Sequence, residues 1–229
     1  MTDFVFMLTQ HDRTVSDCIA IADVACAVGV SHIGFKDVGV DRTTLDRLIA
    51  RLRASDVTVY MEVVSTGADD CLSAARTACE LGVDVLLGGT DAPAMNAIIA
   101  ESSVRFLPFP GVPVGHPTRL GGSPSRIQTD CKRFEAQGCA GVDLLAYRAT
   151  EADPLALIRA ARSATRGTLL VAGSIDSPDR IRAVKDAGAD AFTIGSAMMD
   201  ASFEPGAASM AERLEVALSV AITDSAASA

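Results

Sequence analysis

Tryptophan is absent from this chain of 229 residues, and aromatic residues of all kinds make up 4% of it. Its interior must be filled by aliphatic side chains and alanine, which suits many short apolar segments better than a few large anchors. Basic residues are also scarce: 20 Lys and Arg against 29 Asp and Glu leave a formal charge of -9. That balance excludes an extended surface for a phosphate backbone, so nucleic acid is not an expected partner. It leaves room for a local positive pocket that takes a small anion.

No long hydrophobic run occurs. The opening MTDFVFMLTQHD has an apolar core of about six residues behind an acid, which fits neither a signal peptide nor a membrane span. A cytoplasmic protein with no membrane partner is expected. No CxxC occurs, so the usual zinc spacing is missing. The cysteines fall as Cys18 and Cys26, Cys71 and Cys79, and Cys131 and Cys139, each pair eight apart within or just after a predicted helix. Eight helical residues span about 12 Å, too far for a disulfide. Reduced thiols on helix faces are expected, and no metal or cofactor is implied.

What the chain does have is a rhythm. Strand-length apolar runs lie at Phe4 to Thr9, His32 to Val38, Val57 to Val64, Val85 to Gly89, Arg105 to Phe109, Leu144 to Arg148, Leu169 to Ala172 and Ala191 to Gly195. Helical patterns follow them at Val15 to Val28, Thr43 to Ala54, Ala68 to Leu81, Ala92 to Ala100, Pro124 to Gln137, Pro154 to Ala164, Ser177 to Ala187 and Ala208 to Ile222. Eight strands, each followed by a helix, predict a single-domain (β/α)8 TIM barrel over 1–222, with a small polar tail at 223–229. An open doubly wound sheet is the alternative.

The stretches CAVGVSHIGF, CELGVDVLLGG, QGCAGVDLLAY and DAGADAFTIGS each read as helix end, glycine, strand. Alanine-rich helix segments such as VACAV suit either a second copy of the chain or the strand layer, so a homo-oligomer stays open. One connection breaks the rhythm. GVPVGHPTRLGGS, residues 111–123, is long and rich in Gly and Pro, and it follows the fifth strand on the face where barrels place their chemistry. His116 and Arg119 are its candidate lid residues.

The segment VAGSIDSPDRIRAVKDAGADAFTIGSAMMD ends strands seven and eight in the turns Gly173-Ser174 and Gly195-Ser196. In barrels, backbone N–H groups at these two positions and a nearby helix start receive a phosphate. Glycine allows close approach of the backbone, and the serine hydroxyls add donors. The bland alternative is that both glycines only satisfy tight turns.

AGSIDSPDRIRAVKDAGADAFTIGSAM resembles the C-terminal quarter of the ribulose-phosphate-binding barrels. That superfamily includes histidine-biosynthesis isomerases, pentulose-phosphate and N-acylmannosamine-phosphate epimerases, and sugar-phosphate decarboxylases. The resemblance covers about 30 residues; it implies that Gly173, Ser174, Gly195 and Ser196 bind a substrate phosphate, and it says little about the reaction.

Strand alternation selects the inward side chains. With Phe192 and Ile194 outward, Thr193 and Gly195 face the barrel. The same glycine-plus-seven spacing places Gly34 and Lys36 inward, and in GVDLLAYR it places Ala146 and Arg148 inward. With Val59, Met61 and Val63 outward, Glu62 points in. Lys36, Glu62 and Arg148 thus converge, either as a structural Lys36-Glu62 ion pair or as acid/base groups, with Glu62 taking a proton, Lys36 meeting an oxyanion and Arg148 orienting a substrate oxygen. His11, after strand one, is a further catalytic candidate because its pKa lies near working pH. Asp12 is assigned either to the cap of the first helix or to the same strand end, and His32 to structure.

The departures from the family are informative. GFKD and YMEVV lack the metal-binding His and Asp of the pentulose-phosphate epimerases. VYMEVVS lacks the Asp-x-Lys-x-x-Asp array of the decarboxylases, while FVFMLT and FLPFP lack the acids of the histidine-biosynthesis isomerases. The leading expectation is a metal-independent isomerase or epimerase of a small phosphorylated sugar or sugar acid. The alternatives are a Schiff-base aldolase or lyase acting through Lys36, and a phosphometabolite-binding protein without a reaction.

Overall fold

Each barrel strand is a short apolar segment buried on both faces, as parallel strands covered by helices require. The structure, a computed structural model, describes residues 2–223; the tail expected at 223–229 lies outside the described residues apart from Thr223. The strands are β1 (Asp3–Met7), β2 (His32–Lys36), β3 (Thr58–Glu62), β4 (Val85–Leu87), β5 (Arg105–Leu107), β6 (Gly141–Leu144), β7 (Thr168–Val171) and β8 (Ala191–Ile194). They form one parallel sheet in the order β6-β7-β8-β1-β2-β3-β4-β5. The seam between β5 and β6 is joined by hydrogen bonds of 3.0 Å from Ala140 N to Phe106 O and from Asp143 N to Pro108 O. The chain is a (β/α)8 barrel.

The outer layer consists of α1 (Cys18–Ala27), α2 (Arg42–Arg53), α3 (Ala68–Leu81), α4 (Ala92–Ile99), α5 (Pro124–Ala136), α6 (Pro154–Ala164), α7 (Pro178–Asp186) and α8 (Met210–Ile222), with one extra turn, Ser196–Met199, after β8. Local chemistry starts these helices. The side chains of Asp41, Asp91, Ser123, Asp153, Ser177 and Ser209 each accept from a backbone N–H of the first turn. Proline follows the cap in α4 to α7, where its missing N–H costs nothing. No helix among the described residues is long and apolar enough to cross a membrane. All six cysteines are free.

Register fixes which residues face the barrel. Val5 pairs with Thr193, Met7 with Gly34, and Lys36 with Glu62, and residues paired across parallel strands share a face. Phe6, Phe35, Met61, Phe106 and Phe192 lie on the other face, fully buried against the helices. The inward assignment of Lys36, Glu62 and Thr193 therefore holds.

The sixth strand does not lie where the spacing put it. It spans Gly141–Leu144, and the expected Leu144 to Arg148 segment is instead a 3-10 turn over Ala146–Arg148. The stretch QGCAGV holds two glycines, and the seven-residue count started from the wrong one. Gly138, at φ +81°, ends the helix in the left-handed region. Gly141 already belongs to the strand, where a Cβ would run into the backbone of Thr168. Counted from Gly138, the inward residue of β6 is Asp143, which pairs with Leu170.

The long 111–123 connection has structure of its own, an antiparallel hairpin of Val112–Val114 and Arg119–Gly121. Its root is tied down: Gly111 N donates to buried Asp130 at 3.0 Å and Gly122 N to Glu151 at 3.2 Å. The first predicted strand also ends early. Thr9–Gln10 turns back on Arg13–Thr14 as a small hairpin at the mouth of the barrel.

Candidate active site

The small hairpin after β1 carries His11 and Asp12 at its tip, between the paired Gln10 and Arg13. Both tip residues have positive φ, +50° and +58°, as a two-residue primed turn demands, although neither is the glycine that adopts it without strain. The hairpin is anchored on β2 by Thr14, whose hydroxyl accepts from Lys36 N and donates to Lys36 O, both at 2.8 Å. The outcome is that Asp12 folds into the barrel mouth. It does not cap the first helix, which starts at Cys18 with Asp17 at the cap position.

Asp12 is the hub of an ion cluster. Lys36 Nζ donates to Asp12 Oδ1 at 2.8 Å and to Glu62 Oε1 at 2.9 Å. Arg148 donates two hydrogen bonds of 2.9 Å to the two oxygens of Asp12, the forked arrangement that makes arginine-carboxylate pairs strong. Its Nη1 also reaches Thr118 O, on the long hairpin, at 3.4 Å. Lys36, Glu62 and Asp12 are each 5–6% exposed.

Electrostatics follows from this pairing. Burial works to raise the Asp12 carboxyl, but the Arg148 hydrogen bonds and the Lys36 charge outweigh it and hold Asp12 well below the usual carboxylate range. Burial works to lower Lys36, but the charges of Glu62 and Asp12 raise it, so the amine stays an ammonium. Arg148 is raised in the same way by Asp12. Asp143 behaves differently: complete burial, then the charge of Glu62, push it well above the ordinary carboxylate value.

The cluster opens on a cleft of about 240 Å³ at the C-terminal ends of the strands. Lys36, Glu62, Asp12 and Arg148 form one wall, and the turns 173–176 and 195–197 form the other. Glu62 Oε2 has no hydrogen-bond partner among the described residues. Gly173 and Ser174 both have positive φ, +79° and +57°. Protein neighbours already account for the two glycines: a Cβ on Gly173 would sit 2.5 Å from Arg148 Nε, and one on Gly195 would sit 2.6 Å from Thr9 Oγ1. Ser196 Oγ accepts from His11 N at 3.3 Å, so the two turns and the small hairpin meet at one rim. Two acids also line this wall. Asp176 is paired with Arg180 at 2.8 Å, and Asp200 is bonded to Ser202 at 2.7 Å.

The structure thus brings Lys36, Glu62 and Arg148 together with the four turn residues. Arg148 arrives from the turn after β6, not from the strand. His11 is exposed; its backbone meets this rim, and its side chain is near enough to act electrostatically on Asp200, which lines the cleft. His116 and Arg119 are exposed on the long hairpin, and Arg119 lines a neighbouring cavity of about 650 Å³ that shares Arg148 and Ser174 with the cleft. His32 sits at the opposite end of its strand, bonded to Tyr60 Oη at 3.1 Å, in the structural role expected. Of the acids here, Asp143 escaped the sequence reading and Asp12 was left between a helix cap and the strand end. Asp143 was findable by counting from Gly138, whereas Asp12 depends on a turn that His11-Asp12 does not announce.

No family model matches the chain, and no curated protein matches it in sequence. Solved structures do resemble it. Orotidine 5'-phosphate decarboxylase from Pyrococcus horikoshii OT3 superposes with a TM-score of 0.68 at 15% identity over 95% of this chain and 98% of that chain. The tryptophan synthase complex from Pyrococcus furiosus gives 0.68 at 14% identity, over 95% and 98%. (S)-3-O-geranylgeranylglyceryl phosphate synthase from Thermoplasma acidophilum, in complex with sn-glycerol-1-phosphate, gives 0.65 at 13% identity, over 96% and 92%. At these identities the likeness shows the barrel fold.

Proposed function

We propose that the protein is an enzyme that isomerises or epimerises a small phosphorylated sugar or sugar acid by proton transfer at Glu62 and Lys36, without using a metal. The observation that carries this reading is the Lys36-Glu62 pair, 2.9 Å apart on adjacent strands, opening on a cleft whose far wall is made of the β7 and β8 turns. Two of the similar structures, the decarboxylase and the prenylglyceryl phosphate synthase, have phosphorylated compounds in their names, which supports a phosphate at those turns.

Each residue then has a task. The turn residues Gly173, Ser174, Gly195 and Ser196 hold the phosphate and so fix the carbon chain against the opposite wall. Glu62 takes the proton from the carbon beside a carbonyl, and Lys36 donates a hydrogen bond to the oxyanion that forms. Return of that proton to the neighbouring carbon, with the substrate's hydroxyl proton passing to the oxyanion oxygen, completes an isomerisation; an epimerisation instead needs a proton delivered to the opposite face by a group other than Glu62. Arg148, fixed by Asp12, orients a substrate oxygen.

The paired state of Lys36 bears on the alternatives. A Schiff base needs a neutral amine, and two carboxylates keep this one charged. A simple binding protein has no use for a desolvated acid/base pair at the floor of its cleft.

The test is proton exchange. Phosphorylated ketoses, aldoses and their acids are incubated with the protein in deuterated water, and loss of the α-proton signal is followed by NMR. Exchange with at least one compound, absent in Glu62→Gln, is the expected result. Neither binding nor exchange across the panel would overturn the reading.

A further inference from the structure

Asp143 lies beneath the ion cluster yet takes no part in its pairs. It is fully buried on the inner face of β6, and neither carboxyl oxygen has a hydrogen-bond partner among the described residues. The flanking strands offer it only apolar side chains, with Leu170 beside it in β7 and Leu107 on the inner face of β5. The charges that face it are Glu62 from β3, Lys36 from β2 and Arg148 from the turn after β6. Asp12 is bonded to both of those cations.

The charges of this group can be counted. Lys36 and Arg148 supply two positive charges, and Asp12 and Glu62, which are bonded to them, supply two negative ones. A third carboxylate in the same dry interior, with no donor and no free cation, is too costly to keep ionised. Asp37, a further acid that feels Glu62 and Lys36, accepts from Val64 N at 3.0 Å; of the four carboxylates only Asp143 has no hydrogen-bond donor, so a single proton held by the group belongs on it.

We propose that Asp143 is a positioning residue of the site: by carrying that single proton, it lets Glu62 remain ionised beside Lys36. The inference rests on the proton-transfer reading, in which Glu62 must be a free base. Glu62 takes up and returns the substrate's proton, while Asp143 keeps its own throughout. Ionised, Asp143 would set an unpaired negative charge beside Glu62 in the same dry interior. It would also turn the floor of the cleft net negative, against an incoming anion.

The experiment uses the full chain, 13C-labelled at Asp carboxyls, with Asp143→Asn and Asp143→Leu to assign the Asp143 resonance and to keep the test possible if one variant does not fold. In parallel, binding of inorganic phosphate is measured by calorimetry across the pH range for wild type and variants; the ion's own titration is common to all and cancels. The expected result is an Asp143 carboxyl that stays protonated through neutral pH, and a wild-type affinity that falls roughly tenfold more than the variants' on the alkaline side. An Asp143 resonance that titrates as an ordinary carboxylate overturns the inference, as do superposed binding profiles. If phosphate binds none of the proteins, the phosphate reading fails instead, and the NMR titration alone decides Asp143.

Discussion

Asp12 and Arg148 are 136 residues apart and meet through two parallel hydrogen bonds of 2.9 Å, which join the hairpin after β1 to the turn after β6. Because Asp12 also holds Lys36, removing its charge leaves two buried or half-buried cations with one carboxylate between them. Asp12→Asn should therefore destabilise the protein by about 3–5 kcal/mol, the range for breaking a buried pair from one side. The pH dependence has a definite sign. A carboxyl held below its ordinary value of 3.8 adds stability that is present above that pH and lost as pH falls below it. Urea unfolding at several pH values checks this: the gap between wild type and variant should be full at neutral pH and shrink in acid.

Lys36 and Glu62 separate binding from chemistry. Glu62→Gln keeps the size of the side chain and removes the base, so α-proton exchange should drop by roughly 10²–10⁴-fold while phosphate binding does not weaken. Lys36→Met removes the oxyanion partner and leaves Glu62 unpaired while Asp12 keeps Arg148, so exchange should fall by a similar factor and stability should fall with it. Single-turnover exchange rates, read beside calorimetric phosphate affinities, distinguish these effects. Parallel losses of rate and affinity in Glu62→Gln would remove Glu62 from the role of base.

The eight-fold alternation was legible because parallel strands and amphipathic helices leave different periods in the sequence, and capping residues such as Asp41, Ser123 and Ser177 mark the boundaries. Lys36 and Glu62 were legible for the same reason, since a single left-handed glycine, Gly29, sets the count into β2. β6 was misread because Gly138 and Gly141 compete for that role, and only the backbone geometry shows which one ends the helix. Asp12 was undervalued because a turn with two positive-φ residues is normally signalled by Asn-Gly, and His11-Asp12 carries no such signal. The same turn sets its two tip residues apart: Asp12 enters the barrel mouth and His11 stays exposed at the rim.

Asp143 makes a prediction about stability that does not depend on any substrate. Its carboxyl is raised well above 3.8 by burial and by Glu62. A raised acid contributes stability that is fully present below the unfolded value and is lost as pH rises toward the folded one. Asp143→Asn, which cannot titrate, should therefore gain on wild type as pH rises from about 4 into the neutral range. Thermal melts across that range measure it. A difference that is constant with pH would show that Asp143 does not hold a proton in the folded protein.

Gly173 tests whether the β7 turn serves the ion cluster as well as a ligand. It sits at φ +79° with Arg148 packed on it, so a Cβ would lie 2.5 Å from Nε and 2.9 Å from Cδ. Gly82 provides the control, since it has a similar φ of +66° at the end of α3 and no atom within 4 Å of an added Cβ. Gly82→Ala should cost only the left-handed backbone penalty, about 1–2 kcal/mol. Gly173→Ala carries that penalty and must also displace the guanidinium from Asp12, so it should cost more and lower the gap between wild type and Asp12→Asn when the two changes are combined. A double-mutant cycle of Gly173→Ala with Asp12→Asn reads this coupling directly. Strict additivity would mean that Arg148 accommodates the methyl without leaving Asp12, and that the glycine is there for the turn alone.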